Sequence, residues 1–547
     1  MPHRPPTAPP VTASRRQLLA GGALGLAAYG VPLVAVQPHG FTHGVASGEP
    51  GPDRVLLWTR FAAPADTALR WEVADSADFA RVVSGGTVAA SPANDCCVKA
   101  WATGLRPGTW YFYRFIAPNG AMSDVGRTRT LPMGKVASFR LAVFSCSNLG
   151  FGFFNAYAHA AQAGDFDLAV HLGDYFYEYH RGEYPSARDV VSGRESPLDE
   201  AVSLAQYRAR FAAYRSDPDL QRIHQILPMI AMWDDHETAN DTWESGAENH
   251  QPGEGDWATR KRLSEQVYRE WMPVSDDYYA AYEIGDLASL YRLESRHLAR
   301  SQQLDLFGAA KSAAPDQLDT ALNAFRDGVW QAPDRTLLGA AQESWLARAL
   351  KTSARARKPW QILGQEVVMG ALAMPDAVLE GLPAKAPEWL RDRLTVYARA
   401  AGDGLPFNMD AWDGYPAARD RLYRASLEAN ANLLVLSGDS HNAWAFDLDR
   451  KGARVGVEMA GHSVTSPGAE KELGWRKPAE LARDIVARNP QLKWCDTAQR
   501  GYMAVELTPQ AATGEWRFLA TVRQRGTALA GTKRLTVLAG QRKFVSG

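Results

Sequence analysis

The chain has 547 residues, 46% hydrophobic and 22% charged, the composition of a soluble globular protein long enough for two or more domains with a large core. Lys plus Arg (60) nearly balance Asp plus Glu (61). A dedicated binder of nucleic acid or anionic membranes would carry a basic excess, so no nucleic-acid-binding surface is expected.

The first 36 residues read as an address. Ser14-Arg15-Arg16-Gln17-Leu18-Leu19 precedes a charge-free Gly/Ala/Leu-rich stretch from Ala20 to Val36. A basic start, a moderately apolar middle and a small-residue end describe an export signal over 1–36, and paired arginines point to the twin-arginine machinery. The alternative is a membrane anchor, since about 17–25 apolar residues suffice to span. Four glycines and Pro32 within the stretch weaken that reading, so a periplasmic or secreted protein with no span after processing is expected. The four cysteines are Cys96, Cys97, Cys146 and Cys495. An even count in an exported chain invites a disulfide reading, but adjacent cysteines such as Cys96 and Cys97 rarely pair. No stability is assigned to a bridge.

Residues 37–132 read as a small all-β domain of immunoglobulin-like type. Val55-Leu56-Leu57-Trp58-Thr59 and Leu69-Arg70-Trp71-Glu72-Val73 have strand length, with Gly, Pro, Asp and Ser clusters between them. A turn at Arg106-Pro107-Gly108 leads into the aromatic strand Trp110-Tyr111-Phe112-Tyr113, a pattern common in β-sandwiches. From residue 138 to 547 the pattern becomes α/β. Phe139–Phe144 is an apolar strand that stops at Ser145-Cys146-Ser147-Asn148, and an Ala-rich helix follows from Ala156 to Ala163. Phe166–Leu172 stops at Gly173-Asp174, Met229–Trp233 at Asp234-Asp235-His236-Glu237, and Asn432–Ser437 at Gly438-Asp439-Ser440-His441. Between Asp241 and Leu350 the charged, Ala/Leu-rich sequence predicts helices and a long insertion. The tail from Arg525 either covers the cleft or completes a sheet.

Four buried strands therefore each hand over to metal-competent side chains, where ligand sites of open α/β sheets form. Asp174 and Tyr177 form Gly-Asp-x-x-Tyr: a carboxylate can bridge two cations and a phenolate suits a ferric ion, although Tyr177 also reads as one aromatic among Tyr175, Phe176 and Tyr179. Asp235 offers a carboxylate beside the His236 imidazole, with Asp234 an alternative in register and a helix N-cap the structural reading. Asp439 and His441, as alternate residues of an extended segment, would reach the same ion. Cys146 is either a thiolate ligand or a small core residue.

Phe144-Ser145-Cys146, Gly173-Asp174-Tyr175-Phe176-Tyr177, Trp233-Asp234-Asp235-His236-Glu237 and Gly438-Asp439-Ser440-His441, in this order, resemble the alkaline phosphatase D (PhoD-like) family. Phe41-Thr42-His43-Gly44-Val45-Ala46-Ser47-Gly48-Glu49-Pro50 followed by Leu57-Trp58-Thr59-Arg60 resembles the opening of its N-terminal β-domain. The resemblance implies a metallophosphoesterase-type two-sheet β-sandwich flanked by helices, as in purple acid phosphatases. It also implies a ferric ion with calcium ions (Fe3+, Ca2+) and hydrolysis of small-molecule or lipid phosphate esters by metal-bound hydroxide. On it, Cys146, Asp174 and Tyr177 hold iron, Asp174 bridges, Asp235 serves a second cation, Asp439 and His441 complete the cluster, His236 meets the leaving group and Asn240 contacts phosphate or metal. Two other functions stay open: a phosphodiesterase or phospholipase-D-like enzyme on the same site, and a non-catalytic surface binding protein. Unpaired buried carboxylates make the second costly.

Overall fold

The computed structural model describes residues 40–196, 198–311 and 314–545, so the export signal read from residues 1–36 lies outside the described residues. The short turn-bounded runs of the front segment form β1 (Gly40–Gly48), β2 (Arg54–Ala62), β3 (Thr67–Ala74), β4 (Val82–Ala90), β5 (Cys97–Thr103), β6 (Trp110–Ile116) and β7 (Gly126–Arg129). β1, β2 and β5 pair antiparallel, and β4-β3-β6-β7 make a separate four-stranded sheet. The two groups face each other across a core of Val45, Leu57, Leu69, Val73, Val98 and Tyr113.

The inner strands after residue 138, among them Leu168–His171, Trp360–Gly364 and Leu433–Ser437, are buried on both faces, as sheets covered on both sides require. In chain order the strands of this part are β8 (Phe139–Phe144), β9 (Leu168–His171), β10 (Pro228–Ala231), β11 (Ala280–Ile284), β12 (Ala288–Arg292), β13 (Trp360–Gly364), β14 (Leu433–Ser437), β15 (Ala443–Arg450), β16 (Ala453–Ala460), β17 (Leu492–Asp496), β18 (Gly501–Leu507), β19 (Ala511–Leu519) and β20 (Leu529–Leu538). They build a nine-stranded sheet, β20-β19-β18-β8-β9-β10-β1-β2-β5, and a seven-stranded sheet, β11-β12-β13-β14-β16-β15-β17. The inner faces interlock through Leu141, Val143 and Val170 of the first sheet and Leu290, Ile362 and Leu434 of the second.

Helices cover the outer faces. On the first sheet lie α1 (Asn155–Ala163), α2 (Leu204–Arg215), α3 (Pro218–Ile226) and α4 (Trp257–Trp271); on the second lie α5 (Gly339–Arg355) and α6 (Pro416–Ala429). Their starts are written locally. Ser203 and Gln206 form a reciprocal capping box for α2, Asp217 caps α3 ahead of Pro218, and Asp256 caps α4. The result is an α/β fold of two packed sheets with helices outside, as the resemblance implied.

β1 ties the front segment to the rest of the chain, continuing the nine-stranded sheet by parallel pairing with β10 at Ser47–Pro228 and Gly48–Met229. Glycine is required at that junction: a Cβ on Gly48 would stand 2.1 Å from the Pro273 carbonyl oxygen and 2.7 Å from that of Met229. The region 241–350 is not helices alone, since β11 and β12 pair antiparallel and β12 joins β13 in parallel. Their short runs are masked by the charged helical sequence around them. The C-terminal tail resolves in favour of sheet completion, β20 pairing with β19 at the edge.

Candidate metal centre

β8, β9, β10 and β14 end in the four predicted clusters; the first three belong to one sheet and β14 to the other, so the site straddles the inter-sheet seam. The turns after β8 and β9 are tied together, with the Cys146 N–H donating to the Gly173 carbonyl at 3.2 Å and the Ser147 N–H to that of Asp174 at 2.8 Å. One buried carboxylate locks the β9 and β10 turns: Glu237 accepts the backbone N–H groups of Asp234 (2.7 Å), Asp174 (3.2 Å) and Tyr175 (2.5 Å). Gly173 has φ +95°, and a Cβ there would lie 2.5 Å from that of Asp234, so conformation and space both demand glycine.

Cys146 (φ 60°), Asp174 (φ 53°), Asp439 (φ 59°) and His441 (φ 60°) all have left-handed backbone. The expectation that Asp439 and His441 alternate along an extended segment is therefore corrected: β14 stops at Ser437, and two tight turns aim the side chains. Such conformations cost about 1–3 kcal/mol each and gather at functional sites.

The side chains converge. Cys146, Asp174 and His441 offer ligand atoms within 4.8 Å of one another; so do Asp174, Asp235 and His236, and so do Asp234, Asp235 and Asp439. Asp174 belongs to the first two groups and Asp235 to the last two, which makes a chain of three sites. The Tyr177 hydroxyl donates to Asp174 Oδ2 at 2.9 Å, accepts from Ser466 Oγ at 2.8 Å and lies 2.9 Å from His441 Nε2. His441 Nδ1 is 2.8 Å from the Pro467 carbonyl, which fixes the N–H on that nitrogen and turns the Nε2 lone pair to the cluster. Burial pulls His441 down to about 3, so its imidazole is neutral, as a ligand must be.

These residues fit cations. Asp174 Oδ1 and Asp234 Oδ2 are buried with no hydrogen-bond partner. Burial, then neighbouring carboxylates, pushes Asp174, Asp439 and the Cys146 thiol well above their ordinary values. A bound cation reverses that penalty by favouring the ionised forms. Access is from the β14 side, where the Asp439 and His441 side chains are 17% and 18% exposed against 2% for Asp174.

Asp234 and Asp235 both reach the cluster, but Asp234 is also the partner of an arginine. Arg296, fully buried, donates from Nε to Asp234 at 2.6 Å and from Nη1 to Asp410 at 2.9 Å. Its Nη2 lies 3.6 Å from Asp439 and 3.9 Å from Asp235. Burial alone would raise Asp235; His236 and Arg296 outweigh it and hold that carboxyl well below the usual range. The His236 ring packs at a tilt of 40° against that of Tyr177, centroids 4.2 Å apart, and its Nδ1 is 2.7 Å from buried Glu178. Burial pulls His236 down, yet Asp235, Glu178 and Asp174 together raise it well above its ordinary value. The Asn240 side-chain amide donates to Glu248 at 3.1 Å and its backbone N–H to Glu178 at 2.7 Å. All four cysteines are free.

Sequence reasoning passed over Glu178, Glu237, Arg296 and Asp410. Glu237 closes one quoted motif and Glu178 directly follows another, whereas nothing local marks Arg296 or Asp410.

An α/β sandwich that gathers carboxylates, an imidazole and a thiol at its strand ends offers a site able to hold cations. Residues 141–516 match the PhoD-like phosphatase family and residues 32–132 its N-terminal domain. Alkaline phosphatase D of Bacillus subtilis (strain 168) is 32% identical over 516 residues, covering 90% of this chain and 79% of that protein. The solved structure of PhoD superposes with a TM-score of 0.75 at 29% identity, covering 93% of this chain and 92% of that one. The chain belongs to the PhoD-like phosphatase family and is a phosphoric ester hydrolase.

Proposed function

We propose that the protein hydrolyses phosphate esters at a site holding a ferric ion and calcium ions, and that it works outside the cytoplasm after twin-arginine export. The observation that carries the reading is the convergence of Cys146, Asp174, Tyr177, Asp235, Asp439 and His441 from two sheets, with buried carboxylate oxygens lacking any protein partner. Cys146, Asp174, Tyr177 and His441 are the donors suited to iron, since a thiol and a phenol are added to a carboxylate and an imidazole. Asp174 and Asp235, each common to two groups, would each serve two of the sites, and Asp234 and Asp439 would complete the last. Bound cations acidify water and neutralise charge developing on phosphoryl oxygens.

The chain's own groups do the rest. Glu178 orients the His236 ring and holds its proton, so that Nε2–H is available to the leaving oxygen of an in-line displacement. Asn240, half-buried at the same loop, is assigned a contact to the phosphoryl group once it leaves Glu248. The front module reads as immunoglobulin-like, supported by three strands facing four across one core. Export rests on Arg15-Arg16 and the apolar stretch behind them; among the described residues no helix is long and apolar enough to cross a membrane.

The test joins elemental analysis to activity. Purified protein should contain iron and calcium and hydrolyse p-nitrophenyl phosphate or its bis ester, the ratio of the two assigning the ester class. Asp174→Asn should lose both metal and turnover while keeping its circular-dichroism spectrum. Near-full activity with unchanged metal content in that variant refutes the site.

A further inference from the structure

A cavity of about 250 Å³ lies beside the cluster, sharing Tyr177 with it. Its wall is aromatic and continuous with the catalytic histidine. The Tyr177 and Tyr184 rings stand 5.5 Å apart, those of Tyr179 and Tyr184 5.6 Å, and Tyr179 lies 5.2 Å from the His236 ring. Arg210 closes the other side and is 4% exposed. Its Nη2 is spent on the carbonyl oxygens of Glu178 (3.2 Å), Tyr179 (3.1 Å) and Asp199 (2.7 Å), and its buried Nε has no partner. Among the described residues no carboxylate pairs with it, unlike Arg296 or Arg260. Arg181 adds a second cation at the rim, against the single carboxylate of Glu195.

A buried guanidinium whose hydrogen bonds all go to carbonyls, with the carboxylates of Glu178 and Glu200 near but in no ion pair with it, gains from an anion brought near it. Tyrosine faces favour a flat ring over a bare chain. The cavity therefore offers two complementary features one step from the place where a phosphoryl group would sit. We propose that it seats the alcohol portion of the ester and selects a ring that carries its own anionic group. This rests on the phosphoesterase reading of the neighbouring cluster and adds to it the class of alcohol recognised.

The test uses the purified metal-loaded protein with methyl, phenyl and 4-carboxyphenyl phosphate, or the matching p-nitrophenyl diesters if only diesters turn over. The phenyl ester should have a lower KM than the methyl ester, and the 4-carboxyphenyl ester a KM about tenfold lower again, as one charge-assisted contact supplies. Arg210→Gln should erase the advantage of the carboxylate while keeping that of the ring. Because Arg210 also braces three carbonyls, Ala187→Trp is the second variant: it fills the cavity from its exposed rim and should raise KM for both ring esters relative to methyl. Equal KM values for the three esters in the unsubstituted protein overturn the proposal. So do ratios untouched by Ala187→Trp, or an Arg210→Gln effect identical on all three. Turnover of no ester at all is the separate failure, that of the catalytic reading.

Discussion

Arg296 is the residue whose removal tests the electrostatics most sharply. It is fully buried between Asp234 and Asp410 at 2.6 and 2.9 Å, and Arg300 also holds Asp410 at 2.5 Å. In Arg296→Met, Asp410 keeps a cation and Asp234 loses its own. Breaking a buried pair costs about 3–5 kcal/mol. Proton uptake caps the loss, because burial already pushes Asp234 up to about 6 against the pull of Arg296. Without the guanidinium that carboxyl climbs further and takes a proton near neutrality. The folded state then binds a proton that the unfolded chain, with its ordinary carboxyl at 3.8, has released. Stability therefore falls as pH rises through the interval between the two values, and the variant's interval reaches higher than the parent's. The expected deficit is about 3 kcal/mol near pH 8 and clearly smaller near pH 5. Urea midpoints of chelator-treated protein, followed by tryptophan fluorescence, read it directly, and adding Asp234→Asn should recover much of the loss. A deficit below about 1 kcal/mol near pH 8, or a larger one near pH 5, refutes the reasoning.

Other perturbations reach the same site by different routes. Gly173→Ala places a Cβ 2.5 Å from that of Asp234 and should cost most of the activity with every ligand intact, visible as a fall in kcat with bound metal altered. Glu178→Gln removes a carboxylate that keeps His236 protonated, so the alkaline limb of the kcat–pH profile should move down by about one to two pH units, from about 1.5–3 kcal/mol per charged hydrogen bond; an unmoved limb denies His236 its role. Glu237→Ala strands three buried N–H groups and should lower stability by about 3 kcal/mol or more in urea unfolding, whereas Glu237→Gln, which keeps an acceptor, should cost less. If iron is bound, Tyr177→Phe should bleach any visible absorption from phenolate-to-iron charge transfer while leaving calcium content in place.

The candidate site was largely legible because strand ends are local events. An apolar run that stops at Gly-Asp or Asp-Asp-His marks the strand and the place of the side chains that follow, and Cys146, Asp174, Tyr177, Asp235, Asp439 and His441 were readable on those terms, while the left-handed turns that aim Asp439 and His441 were not. Asn240 shows the limit: its place in the loop was legible, but its bond to Glu248 depends on a residue whose position the loop alone does not set. Arg296 and Asp410 were illegible for a stronger reason. They stand 62 and 176 residues beyond Asp234, Arg296 inside the stretch 241–350 whose composition reads as helical and Asp410 past it, and the pairing of β12 with β13 brings the segment after β12 to the site. The sharing of β1 between module and catalytic sheet was hidden likewise, since a two-residue parallel contact leaves no periodic trace.

That shared strand has a practical consequence. Cutting the chain after residue 132 would strip β10 of its neighbour on one side and leave the backbone groups of that two-residue contact unanswered beside the site. A shortened enzyme of that kind would recruit another chain's strand to the bare edge, so the front segment works as a permanent edge guard, and designs that swap or trim it must carry β1 along.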